Sequence, residues 1–286
     1  MIKLLVLGTA QDGGIPHLGC RQPYCERARR DPHLARWVAC LGLIDTEARR
    51  SFLIDATPDA RPQLDYLTAH PDAPARQDRN PVDGLILTHA HIGHYTGLIQ
   101  FGREVMATRQ MPTYGTARMG RFLIENGPWA QLVRDGHLSL REITDQQPAR
   151  LTDRLTITPF LVPHRQEWSD TIGLEIAGPQ KRVIYIPDID RWDDWNRDIR
   201  EVVAACDIAL LDGCFYSADE VGGRPLAEIP HPLIPDTMER LAALSERVYF
   251  THLNHTNSAA DRASAQRREI EARGFRVAED RMEFAL

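Results

Sequence analysis

Three histidines fall within six residues in the stretch THAHIGHYTG, residues 88–97: His89, His91 and His94. The apolar run GLILT (84–88) before them reads as a buried strand, so His89 and His91 stand just past its end. In extended chain, residues i and i+2 share a face, and these two imidazoles can aim at one point. The chain then turns, and His94 opens a helical pattern. Neutral imidazole is the commonest metal ligand and suits zinc, iron, copper and nickel. One histidine alone is usually structural, but three at this spacing after a buried strand point to a metal.

Further donors follow other apolar runs. FLVPHRQEW places His164 at a strand end, VIYIPDID places Asp188 there with Asp190 as a rival, and VYFTHLNHTN offers His252 and then His255. Singly, such an aspartate reads as a turn or cap residue. Four strand ends that each offer His or Asp make a candidate metal centre.

The elements that must position these residues are short. Apolar runs bounded by turn signals predict strands at 3–8, 39–45, 51–55, 84–88, 155–162, 172–178, 182–187, 208–212 and 247–252. Helical periodicity falls at 94–108, 116–126, 193–205, 235–245 and 259–273. Strands dominate the first third and alternate with helices later, which predicts a layered α/β domain with sheets in the centre. No linker divides the chain, so residues 1–286 are expected to form one domain. The stretches 70–83 and 213–235 read as long surface loops. The second is the expected specificity element, with Tyr216, Arg224 and His231 as candidate substrate contacts.

The chain has 286 residues, 43% of them hydrophobic, and a formal net charge of -6. That is enough for a large core, and it leaves no basic footprint for nucleic acid. No run of 18 apolar residues is present, and the N-terminal apolar run reads as a strand rather than a signal segment. A cytoplasmic location is expected. Five cysteines in a chain this long are not a disulfide framework. Cys40 and Cys206 read as core residues, whereas Cys20 and Cys25 lie in a polar loop.

The ordered set His89, His91, His94, His164, Asp188 and His252 resembles the metallo-β-lactamase superfamily signature, H-x-H-x-D-H followed by His, Asp and His. The match runs over residues 88–252. The resemblance implies a four-layer αββα sandwich, an α/β (α+β) fold, with metal held across the ends of two sheets. Within the superfamily the chain resembles the coenzyme PQQ biosynthesis protein B group. The stretches that carry this are VLGTAQDGGIPHLGC, LIDATPDARPQL (53–64), ALLDGCFYSADE (209–220) and THLNHTN (251–257). PhnP-type cyclic phosphodiesterases and tRNA-processing endonucleases resemble the chain more distantly.

The family pattern puts a carboxylate where this chain has Gly93. The resemblance then implies one metal position from His89, His91 and His164 and a second from His94 and His252, with Asp188 between them. The expectation is one or two Zn2+ ions, with Fe2+ or Mn2+ as alternatives, and a second position weakened by Gly93. The first functional reading is a hydrolase acting on a small phosphodiester, ester or lactone-like substrate through a metal-activated water, with Asp188 or His94 handling protons. The second is an iron-dependent, oxygen-using enzyme of PQQ or related cofactor biosynthesis. The third is a non-catalytic metal-binding member of the fold. Asp59 and Asp212 are candidate partners for the ligand imidazole N–H groups. The resemblance also implies a structural zinc on Cys20, Cys25 and His255, with His17 as a fourth donor. A small-molecule substrate is expected, and the superfamily suggests a homodimer.

Overall fold

The computed structural model describes residues 1–76, 78–223 and 230–286. Its strands form two seven-stranded sheets. The first contains β1 (Ile2–Gly8), β2 (Cys40–Asp45), β3 (Arg50–Ile54), β4 (Gly84–Ile86), β5 (Met111–Gly115), β6 (Leu138–Glu142) and β14 (Glu283–Ala285), in the order β14-β1-β2-β3-β4-β5-β6. The second contains β7 (Ala149–Arg150), β8 (Thr156–Leu161), β9 (Ile172–Ala177), β10 (Arg182–Ile186), β11 (Ile208–Asp212), β12 (Val248–Thr251) and β13 (Arg276–Val277), in the order β13-β12-β11-β10-β9-β8-β7. Each sheet is antiparallel on one side and parallel on the other. The parallel runs are β3-β4-β5-β6 and β10-β11-β12-β13.

Strands buried on both faces explain the continuous apolar runs. Leu4 and Val6 of β1 point between the sheets, while Leu5 and Leu7 point outward. On β11, Ile208 and Leu210 face the intersheet core, and Ala209 and Leu211 face outward. The outer face of the first sheet packs on α2 (Ala60–Thr68), α3 (Ile92–Tyr95), α4 (Ala117–Glu125) and α5 (Trp129–Arg134). That of the second packs on α1 (Pro23–Arg30), α6 (Ile199–Ala204), α7 (Ile234–Arg240) and α8 (Ala265–Ala272). The result is the expected αββα layering. Among the described residues, no helix is long and apolar enough to cross a membrane.

All nine expected strands are present within a residue or two. β5, β6, β7, β13 and β14 were not anticipated. They are short, and β5 contains a proline, so their pairing comes from the neighbouring strand rather than from local pattern. The helix expected over 94–108 is corrected: α3 is one turn, followed by a 3-10 stretch, Thr96–Phe101. The backbone here bonds to the chain after β3 instead of to itself. Ala56 N donates to His94 O (2.9 Å) and Gly97 N to Ala56 O (2.8 Å). Only glycine allows this approach, since a Cβ at Gly97 would lie 2.1 Å from Thr57 O. The helices expected at 193–205, 235–245 and 259–273 are likewise shorter, each with a 3-10 segment at one end.

Leu210 is fully buried in the intersheet core. Leu210→Ala is expected to lower unfolding stability by about 2–5 kcal/mol in urea denaturation. A loss under about 1 kcal/mol would contradict the placement of that core.

Candidate metal centre

The ends of the central strands meet at one edge of the sandwich. His89 and His91 follow β4, and His94 sits on α3. His164 lies between β8 and β9, Asp188 follows β10, and His252 follows β12. Asp188 is the focus. Its Oδ2 lies 3.1 Å from His94 Nε2, 3.2 Å from His252 Nε2 and 3.8 Å from His89 Nε2. Its Oδ1 lies 3.5 Å from His164 Nε2, and that nitrogen is 3.2 Å from His91 Nδ1.

His164 Nε2 and His91 Nδ1 share a hydrogen bond, but the contacts of Asp188 Oδ2 are not hydrogen bonds. His89 Nε2, His94 Nε2, both nitrogens of His252 and Asp188 Oδ2 are buried with no hydrogen-bond partner. Each such orphan costs about 1–3 kcal/mol unless something satisfies it. Lone pairs converging on a shared point are the arrangement a cation would satisfy. Donor atoms within 4.8 Å of one another occur in His89/His91/His164, in His89/His94/Asp188 and in Asp12/His94/His252. Imidazole and carboxylate at these positions fit zinc or iron(II).

The remaining ring nitrogens are anchored. His94 Nδ1 donates to Asp55 Oδ2 (2.8 Å), and Thr88 N and Oγ1 donate to the same carboxylate. His89 Nδ1 pairs with Thr88 Oγ1 (3.0 Å), and His164 Nδ1 donates to Asp190 Oδ1 (2.7 Å). His91 Nε2 faces Glu167 Oε2 at 3.3 Å. Such partners fix ring orientation and leave the other nitrogen free to bind metal. Asp55 and His252 both adopt left-handed backbone, with φ of 68° and 58°. For non-glycine residues this costs of order 1–3 kcal/mol, and in both cases the residue is the first after its strand.

Burial holds the His89, His91 and His252 imidazoles below their ordinary range. Burial opposes charge on His94 most strongly, but the Asp55 and Asp188 carboxylates together outweigh it, and His94 rises well above the ordinary value. Burial likewise opposes ionisation of Asp188, yet His252 and His94 hold it well below the usual carboxylate range. A bound cation must therefore displace the proton on His94.

Several expected contacts fall elsewhere. Asp59 is corrected: its Oδ2 accepts from Val38 N (2.9 Å), so it fixes backbone rather than an imidazole. The imidazole partners are Asp55 and Asp190 instead. Asp55 ends a strand as Asp188 does, and that position was its only sequence signal. Asp212 does hold an imidazole, that of His231 (2.7 Å), and it accepts from Ile189 N (3.1 Å) next to Asp188. Asp188, Asp212 and His231 also bring donor atoms within 4.8 Å of one another. His231 is thus at the centre, its ring 5.5 Å from His164 and 6.1 Å from His252. Tyr216 is corrected: it packs against the outer core of the second sheet, and burial and Glu269 push its hydroxyl up to about 12. Arg224 lies outside the described residues.

Cys20, Cys25 and His255 form a separate group with donor atoms within 4.8 Å of one another. Cys25 Sγ is 3.8 Å from His255 Nδ1. His17 is corrected as a fourth donor. It stacks flat on His255 with ring centroids 4.2 Å apart, and its Nδ1 meets the Leu18 carbonyl. Cys40 and Cys206 are buried as expected.

A family model described as a beta-lactamase superfamily domain matches residues 50–253. The chain belongs to that superfamily. Coenzyme PQQ synthesis protein B from Methylobacterium sp. (strain 4-46) is 29% identical over 315 residues, covering 100% of both chains. The protein of the same name from Ruegeria pomeroyi (strain ATCC 700808 / DSM 15171 / DSS-3) is 26% identical over 307 residues, with the same coverage. Among solved structures, Zn(2+)-bound PqqB from Methylobacterium extorquens superposes with a TM-score of 0.84 at 24% identity, over 99% of this chain and 100% of that one. A diphosphatase from the PhnP family gives 0.67 at 19% identity, over 99% and 96%. The fold is the metallo-β-lactamase fold.

Asp55 bonds His94 directly and reaches His89 through Thr88, and its contact with His94 gives two opposed effects. Asp55→Asn is expected to weaken zinc binding at pH 8 by roughly 10–100-fold, because the imidazole loses its orienting partner. It also removes the charge that keeps His94 protonated. The wild-type affinity falls as pH drops through the raised His94 value, and in the variant that fall begins at lower pH. Zinc titrations between pH 5.5 and 8 check this. Parallel curves would refute the coupling.

Proposed function

We propose that this protein is a metal-dependent enzyme of the PqqB type, acting on a small molecule in the biosynthesis of PQQ or a related cofactor by iron-dependent, oxygen-using chemistry. The observation that carries the reading is the buried, unpartnered face formed by His94, His252 and the Asp188 carboxylate. Two imidazoles and one carboxylate are the set that iron(II) oxygenases use while keeping positions open. Full-length similarity to proteins named coenzyme PQQ synthesis protein B supports the same assignment.

Bound iron would supply the oxygen chemistry and bound zinc Lewis acidity. The chain's own residues do the rest. Asp55 and Asp190 orient the rings of His94 and His164. His231, held by Asp212 beside His164 and His252, is placed to pass a proton through the nitrogen that Asp212 does not engage. Glu167 at the exposed edge of the centre holds the His91 ring through its Nε2. The group Cys20, Cys25 and His255 would take a structural zinc that ties the N-terminal loop to the chain after His252.

Hydrolysis is the second reading, and a specific observation favours it. His89, His91 and His164 offer three imidazoles on the other side of Asp188, so the carboxylate lies between two donor sets, as two-metal hydrolysis requires. Metal analysis of untagged protein purified without chelators separates the two. Iron, with oxygen uptake on addition of a PQQ-precursor-like quinol, supports the first. Zinc, with turnover of bis-(p-nitrophenyl) phosphate, replaces it with the second. Failure to bind either metal after reconstitution would refute both.

A further inference from the structure

We propose that Asp12, from the loop after β1, is the carboxylate ligand of the second metal position and takes the place of the side chain missing at Gly93. The inference rests on the centre being a metal site.

Gly93 is not an open gap. A Cβ built there would lie 2.2 Å from Asp12 Oδ1 and 2.8 Å from Asp12 Cα. The volume a side chain at 93 would fill belongs to Asp12. The Gly93 N–H donates to Asp12 Oδ1 at 3.2 Å, which sets that carboxylate against the first turn of α3. Asp12 also brings a donor oxygen within 4.8 Å of nitrogens of both His94 and His252. Those two rings are fully buried, and His94 Nε2 and both nitrogens of His252 have no hydrogen-bond partner. The carboxylate therefore completes a set whose other members are already short of a ligand.

The loop that carries Asp12 is built rather than free. Leu253 N donates to Thr9 O (2.8 Å) and Gln11 N to Leu253 O (2.9 Å), so the loop is paired with the residue after His252. Ala10 bridges to Val38 on one side and Leu253 on the other. Buried Arg36 donates to Thr9 Oγ1 at 2.9 Å, and Thr9 Oγ1 donates to Asp280 at 2.6 Å. The backbone fixes Asp12 at the same edge of the sandwich as His94 and His252.

The expectation of a weakened second position is thereby reversed. Gly93 removes one negative charge, and Asp12 returns one to the same volume. The two positions become His89, His91 and His164 on one side and His94, His252 and Asp12 on the other, with Asp188 between them.

The test is metal stoichiometry and affinity, by elemental analysis and zinc titration, on four full-length proteins: wild type, Asp12→Asn, Asp12→Glu and His89→Ala/His91→Ala. Asparagine keeps the acceptor for the Gly93 N–H and loses the charge. Asp12→Asn is expected to bind one equivalent fewer than wild type, or to bind it more than about 100-fold more weakly, beyond the usual effect of losing an orienting partner. Asp12→Glu keeps the charge and is expected to bind that equivalent more tightly than Asp12→Asn, which a merely structural role for Asp12 would not predict. The His89→Ala/His91→Ala variant should lose the other equivalent and keep this one. Asp12→Asn with wild-type stoichiometry and affinity would overturn the inference, as would an Asp12→Glu variant that folds, by circular dichroism, yet binds that equivalent no better than Asp12→Asn. In both cases the metal reading survives. Wild type that takes up no zinc would refute the metal site itself.

Discussion

A carboxylate and a ring of imidazole nitrogens are held out of water and converge on one point. Asp188 is ionised although buried, and its Oδ2 faces three nitrogens that make no hydrogen bond to it. Taking an ion out of water costs several kcal/mol, and a buried charge is tolerated when it is paired or holds a metal. A folded chain that keeps so many unsatisfied donors together, among them those of His252 on its strained backbone, is organised for a cation. The surrounding architecture follows from the need to bring those donors from distant parts of the sequence to one edge.

The two sheets meet that need by geometry. In each, the parallel half sends successive strands to the same edge, so residues after β4, β10 and β12 come together without long loops. This is the general tendency of α/β sheets to build sites outside the carboxyl ends of their strands. The intersheet core sets the spacing between His89 and His94 on one side and His252 and Asp188 on the other. The short α3 matters as well. Because the chain after β3 takes over its backbone bonding, His94 is fixed against Asp55 rather than left at the end of a long helix.

Much of this is legible in the sequence, because it depends on local pattern. The apolar runs mark nine strands with His or Asp just beyond them, and the superfamily resemblance then picks Asp188 over Asp190 and His252 over His255 to complete the set with His89, His91, His94 and His164. What escaped depends on tertiary geometry. Asp55 looks like any strand-end aspartate until its left-handed backbone turns it toward His94. Asp12 lies about eighty residues before its apparent counterpart at Gly93, and only the pairing of the N-terminal loop with Leu253 brings it there. Asp59 has the right residue type in a promising stretch, but the backbone of Val38 claims its carboxylate. His231, read as a loop contact, is drawn inward by Asp212.

The central claim is that a metal ion sits among these donors, and anomalous diffraction tests it most directly. Crystals of protein purified without chelators, measured on both sides of the zinc and iron absorption edges, are predicted to show a peak within bonding distance of Asp188, His94 and His252. The position beside His89, His91 and His164 is the second place to look. Maps that show no anomalous density at either position after soaking in zinc and in iron(II), with the imidazoles bonded to ordered water instead, would contradict the account.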